Sequence, residues 1–70
     1  MKSEKYSKLR GSIREIFKRQ EEFARAMNMH PTTLSKKLSG LTDWTREEME
    51  RACQLLGVPA EQIHIYFFSS

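Results

Sequence analysis

The feature that most constrains this chain is the recurrence of residues that end helices, Asn28, Gly40 and Gly57. Each follows a segment in which apolar residues recur every three or four positions, the spacing of one face of an α-helix. Asn and Gly commonly follow helices because they adopt left-handed backbone conformations at low cost. We therefore predict an all-α fold, a compact bundle of about five short helices. Only residues 63–68 also resemble a strand, and the length of that segment does not decide between the two.

The first three helices are predicted over residues 3–17, 20–27 and 31–39. Ser3 is the expected N-cap of the first helix. Pro31 suits the first position of the third helix, where the missing N–H costs nothing. The sequence thus predicts helices joined by connections of only two or three residues.

The fourth helix is predicted to begin with a T-x-x-E capping box at Thr45 and Glu48 and to end at Gly57. Val58 and Pro59 open a last short helix. Trp44 is expected to anchor the fourth helix to the core. The other side chains expected to face inward are Phe23, Ala24, Met27, Met49, Ala52, Cys53, Leu56 and Ile63.

The composition fits one domain, residues 1–70, with one modest core, since 39% of the 70 residues are hydrophobic. The single cysteine, Cys53, cannot form a disulfide within the chain, so stability must come from packing. The apolar runs are too short to cross a membrane, and no secretory signal follows Met1. We expect a protein of the reducing cytoplasm.

The charge is divided unevenly along the chain. Residues 1–40 carry ten Lys and Arg against four Glu, which leaves +6, whereas residues 41–70 carry two Arg against five acidic residues, which leaves −3. A basic half beside an acidic half suits a protein that presents one side to a polyanion. A solvated surface that is merely uneven is the alternative.

The stretch QEEFARAMNMHPTTLSKKLSG, residues 20–40, predicts two helices joined at Asn28. A small residue at Ala24 lets the two helices approach closely. Leu34 and Leu38, four positions apart, would bury one face of the third helix. The opposite face carries short polar side chains and a lysine, which suits a helix that approaches the wall of a DNA major groove.

This stretch resembles the helix–turn–helix of the Cro and repressor proteins of temperate phages, the broad XRE-like family. The residues that carry the resemblance, with their spacing kept, are Gln20, Ala24, Asn28, Met29, Leu34, Leu38 and Gly40. The segments KLRGSIREIF, DWTREEMERACQLLGVP and IHIYFF extend the likeness to a group of very small prophage-encoded regulators. The resemblance implies a lambda-repressor-like fold with a central helix–turn–helix and a double-stranded DNA operator as partner.

The resemblance also implies roles for individual residues. The positions expected to reach base edges are Pro31, Thr32, Ser35 and Lys36. The positions expected to contact phosphates are Gln20, Thr33, Lys37 and Ser39. Pro31 has no donor and could offer only apolar contact, while Lys36 is the main candidate for guanine.

The stretch departs from the family pattern at three positions. Asn28 replaces the usual Gly, His30 stands where Ser or Thr commonly caps the third helix, and Pro31 removes one hydrogen-bonding reader. Sequence recognition would then rest more on DNA shape and deformability.

The departures and the aromatic tail, residues 63–70, leave a second hypothesis open. An antirepressor would use the same fold to bind another phage repressor instead of DNA. Three adjacent aromatics cannot all turn inward on one short helix, so we expect some of the tail to meet a partner or to form a homodimer: Tyr66, Phe67 and Phe68. No catalytic motif, cofactor, metal site or small-molecule substrate is expected, because the two histidines and one cysteine have no motif spacing.

Overall fold

The computed structural model describes residues 6–68, and within this range the chain forms five α-helices and no strand. The helices are α1, Ser7–Phe17; α2, Gln20–Ala26; α3, Pro31–Leu38; α4, Arg46–Leu56; and α5, Ile63–Phe67, which follows a 3₁₀ turn at Ala60–Gln62. The predicted all-α bundle is therefore confirmed. None of the helices in this range is long and apolar enough to cross a membrane.

The first helix begins later than the sequence predicted. It starts at Ser7, after Tyr6 with a left-handed φ of 60°, while the predicted cap, Ser3, lies outside the described residues. The strand-like segment at the other end is helical from Ile63 to Phe67. The remaining predicted boundaries agree with the structure within one or two residues.

The core is assembled from all five helices and the segment before α4. Phe23, Leu9, Leu34 and Leu38 are the largest fully buried side chains. Ala24, Met27, Ala52, Cys53 and Leu56 are buried as the sequence predicted. Burial raises the pKa of the Cys53 thiol, which is thus a packing residue and not a reactive one.

An aromatic cluster closes the side of the bundle where α1, α5 and the loop before α4 meet. The Trp44 ring lies 5.0 Å from that of Phe67, and both lie about 6.4 Å from Tyr6, in edge-to-face arrangements. Such pairs add stability beyond the area they bury. These contacts agree with the prediction that Trp44 anchors the fourth helix to the core. Phe67, predicted as a partner contact, is instead 6% exposed and belongs to the core.

The ends of α2, α3 and α4 are built in the same way. Asn28, Gly40 and Gly57 have φ values of 60°, 87° and 71°. In each case the next residue donates its N–H to a carbonyl five positions back, at 2.8, 2.9 and 2.8 Å. This is the Schellman arrangement, which satisfies carbonyls that a helix end leaves unpaired. These local signals account for the accuracy of the predicted helix ends.

Asn28 is the only one of these three residues with a Cβ, and it provides a test of the turn between α2 and α3. We expect Asn28→Ala to lower the free energy of unfolding by about 1 kcal/mol, because alanine tolerates the left-handed conformation less well. Asn28→Gly should equal or exceed the wild type. Urea denaturation followed by circular dichroism measures both. An Asn28→Ala variant as stable as the wild type would contradict this account of the turn.

Candidate nucleic-acid interface

Helix α3 and its last turn present a polar stripe to solvent, formed by Thr32, Ser35, Lys36 and Ser39. Leu34 and Leu38 are buried, whereas all four predicted base contacts are exposed: Pro31, Thr32, Ser35 and Lys36. Positions 32, 35, 36 and 39 follow one another at steps of three, one and three, so they share one face. The structure thus brings the predicted base contacts together on the side of the helix that packing leaves free.

The start of α3 is capped by a residue that the sequence analysis treated as a departure. Nδ1 of His30 accepts a hydrogen bond from the backbone N–H of Thr32 at 3.1 Å, and Pro31 occupies the first turn. His30 therefore performs the capping task usually given to Ser or Thr. An accepting Nδ1 leaves the proton of the neutral ring on Nε2.

Lys37 does not lie with the other predicted phosphate contacts. Its side chain is 10% exposed, and Nζ lies 2.7 Å from the carbonyl oxygen of Asp43 and 3.0 Å from Oε1 of Glu48. Lys37 follows Lys36 by one position, which turns it about 100° around the helix and toward α4. The prediction that Lys37 contacts a phosphate is wrong, because its ammonium group is already paired with Asp43 and Glu48 inside the protein.

Two further predicted phosphate contacts lie in settings that limit this role. Thr33 is exposed, but it lines a groove between the turn and α4 whose charges are mixed, with Glu47 and Glu48 beside Arg51. Oγ of Ser39 donates to the carbonyl oxygen of Lys36 at 3.0 Å. The hydroxyl proton of Ser39 is thus already engaged.

Gln20, the remaining predicted phosphate contact, is the first residue of α2. It lines a cleft of about 130 Å³ with Ile13, Leu38 and three cations: Arg10, Arg14 and Lys18. All three belong to the basic half of the chain, and none of them is among the site residues that the sequence predicts. Their spacing of four, which places them on one helical face, was the signal that could have singled them out.

Residues 69–70 of the predicted tail lie outside the described residues, and within residues 63–68 the exposed part is smaller than predicted. Tyr66 is half-buried, and Nζ of Lys8 lies 5.8 Å from the centre of its ring. Phe68 is 69% exposed, and Leu41, in the loop after α3, is 76% exposed. Of the three tail aromatics, Phe68 is the one that packing leaves most available to a partner.

A family model described as a protein of unknown function, DUF739, matches residues 2–70. The chain belongs to the DUF739 family. No curated protein matches it. Within residues 6–68 of this DUF739 protein, no group of three or more His, Cys, Asp or Glu side chains is placed to hold a metal ion.

The position of α3 depends on Glu48, whose Oε1 accepts from the backbone N–H of Thr45 at 2.9 Å and from Lys37 at 3.0 Å. Burial alone would raise the pKa of the Glu48 carboxyl, but the hydrogen bond from Thr45 and the charge of Lys37 outweigh it and hold the pKa below its ordinary value of 4.5. A lowered pKa in the folded state stabilises the fold above the ordinary value, and this contribution is lost as the pH falls through the folded-state value.

We therefore expect Glu48→Gln to lower the free energy of unfolding at pH 7 by about 1 kcal/mol. The variant should also lose less stability than the wild type on acidification from about pH 5 to 3. Glu50→Gln, which breaks the exposed pair with Arg46, serves as control and should change stability by less than about 0.5 kcal/mol. Urea titrations across this pH range would contradict the assignment if Glu48→Gln and Glu50→Gln behaved alike.

Proposed function

We propose that this DUF739 protein is a sequence-specific double-stranded DNA-binding transcriptional regulator of the Cro and repressor type. The observation that carries the proposal is the exposed polar stripe of α3, held outward by Leu34 and Leu38 at 0% and 2% exposure. A helix with one buried apolar face and one outward polar face, following a tight left-handed turn, suits insertion into a major groove.

The chemistry of the stripe favours this function over that of an ordinary solvated surface. The hydroxyls of Thr32 and Ser35 are short, so the backbone of α3 can come close to base edges. Lys36 is exposed and has no ion pair among the described residues, so its ammonium group is available to guanine O6 and N7. Pro31 offers apolar contact, for example to a thymine methyl group.

We propose that the protein acts as a homodimer on a two-fold operator in the cytoplasm of a bacterial host, within a prophage circuit. Eight residues of α3 form few base contacts, so two copies are needed for tight binding. Among the described residues, the exposed large apolar side chains available for pairing are Leu41, Phe68 and Ile16. Half-sites should then lie about one helical turn, roughly 34 Å, apart.

The same exposed apolar side chains also favour a second candidate, an antirepressor that binds another phage repressor. Such an interface would be apolar, and its strength would change little with salt. Binding to DNA releases counterions and weakens steeply as salt rises. Salt dependence therefore separates the two functions.

The test is selection of bound sequences from a random duplex pool, followed by affinity measurements on the selected duplex. We expect a two-fold motif and a steep decrease of affinity with salt. Thr32→Ala and Lys36→Ala should each weaken binding to the selected duplex by about 1–3 kcal/mol and relax preference at one position. Thr42→Ala, an exposed loop change, is the control for Thr32→Ala.

Two results would contradict the proposal. One is the absence of any enriched sequence, with only weak binding to all duplexes. The other is wild-type affinity for the selected duplex after both α3 changes. Either result, together with salt-insensitive binding to a phage repressor, would favour the antirepressor.

A further inference from the structure

The cleft beside α3 gathers positive charge that no ion pair neutralises. Arg10, Arg14 and Lys18 project from successive turns of one face of α1 and of its end, and all three line the cleft. The ion pairs of the described residues involve other cations, Arg25, Lys37 and Arg46. No Asp or Glu lines the cleft. Three cations that share one opening without a carboxylate form a site for an anion.

The hydrogen bonds inside the cleft orient its cations but leave most of their donors free. Nη2 of Arg10 donates to the carbonyl oxygen of Leu38 at 3.0 Å, which fixes the guanidinium at the end of α3. Nζ of Lys18 donates to the carbonyl oxygen of Glu15 at 3.2 Å. A guanidinium has five N–H donors and an ammonium has three. The Arg14 side chain forms no hydrogen bond or ion pair within the described residues, so its whole guanidinium is available.

The backbone at Lys18 is held in an unfavourable conformation that positions the side chain. Its φ and ψ are 70° and −43°, and the N–H of Arg19 donates to the carbonyl oxygen of Phe17 at 2.7 Å. This is a γ-turn with positive φ, which is rare and strained for a residue with a Cβ. Glycine would adopt it more easily, so the turn alone does not explain a lysine at this position.

The location of the cleft indicates which anion it would take. Leu38, the last residue of α3, forms part of its wall, and Gln20 adds an amide from α2. A helix that lies in a major groove has its ends beside the phosphates of the flanking strands. The cleft therefore stands where a backbone phosphate would meet the protein if α3 reads bases.

We propose that Arg10, Arg14, Lys18 and Gln20 hold one phosphate group of the DNA backbone, so that α1 forms part of the interface and sets the register of α3. This inference rests on the proposed function. The ligand chemistry is a phosphate monoanion hydrogen-bonded by guanidinium, ammonium and amide donors. A free phosphate ion would use the same donors, and the experiment separates the two sources.

The experiment measures affinity for the selected operator and for an unrelated duplex over a range of salt concentrations. Arg14→Gln should weaken binding to both duplexes by a similar factor, roughly tenfold at low salt, and reduce the slope of log affinity against log salt by about 1. Lys8→Gln is the matched control, because it removes the same charge from α1 at a position that does not line the cleft. Its contact with the Tyr66 ring is lost as well, so its melting temperature is measured beside its affinity. It should leave the slope nearly unchanged.

Lys18→Gly distinguishes phosphate binding from a structural role. Glycine relieves the strained turn, so the melting temperature should be equal to or higher than that of the wild type. Loss of the ammonium should nevertheless weaken binding to both duplexes and reduce the salt slope. A variant that is more stable and binds more weakly cannot owe its defect to misfolding.

Three results would overturn the inference, and each is distinct from failure of the proposed function, in which the wild type itself selects no duplex. The first is a wild-type slope in both Arg14→Gln and Lys18→Gly. The second is an equal loss of affinity in Lys8→Gln, which would indicate that only the overall charge of the protein affects binding. The third is saturation of the cleft by inorganic phosphate at low millimolar concentration, seen by NMR, without competition against the operator.

Discussion

The buried ammonium group of Lys37 joins the two parts of the molecule that present the polar stripe. It leaves α3 and reaches Oε1 of Glu48 at 3.0 Å, the same oxygen that caps the start of α4 through Thr45. A buried charge is tolerated only when it is paired, so α3 cannot rotate about its axis without exposing Leu34 or stranding this ammonium. The orientation of the outward stripe is therefore set by an inward lysine, one position away from the lysine available to a ligand.

Local signals account for the parts of the fold that the sequence predicted well. The capping box at Thr45 and the left-handed residues after α2, α3 and α4 depend on neighbours within five positions, so their identities are sufficient. The burial of Phe67, by contrast, depends on Tyr6 and Trp44, which lie 61 and 23 positions away. Three adjacent aromatics were correctly expected to divide between core and surface, but their sequence does not say which one turns inward.

The candidate site also combines features that the sequence predicts with features that depend on distant residues. The exposure of the predicted base contacts follows from helical periodicity once Leu34 and Leu38 are taken as buried. The role of Lys37 does not follow from periodicity. Its two partners are the backbone carbonyl of Asp43, in a loop, and the carboxylate of Glu48, in another helix. The cap at His30 is hard to predict for a chemical reason: an imidazole Nδ1 accepts a hydrogen bond as a hydroxyl does, yet histidine is uncommon among capping residues.

The number of free donors on α3 bears on how such a protein would distinguish its operator. Pro31 has none, the hydroxyl proton of Ser39 is engaged, Lys37 is turned inward, and Thr33 lines the groove beside α4. Thr32, Ser35 and Lys36 remain on the outward stripe. If the protein binds DNA as proposed, so few base contacts per copy mean that affinity would come largely from phosphates, and phosphate contacts carry no sequence information directly. Under the proposed function, specificity would then rest on holding two α3 helices at a fixed spacing and on the ease with which the DNA between them deforms. An α1 that fixes one phosphate would contribute to specificity through this spacing, without touching a base.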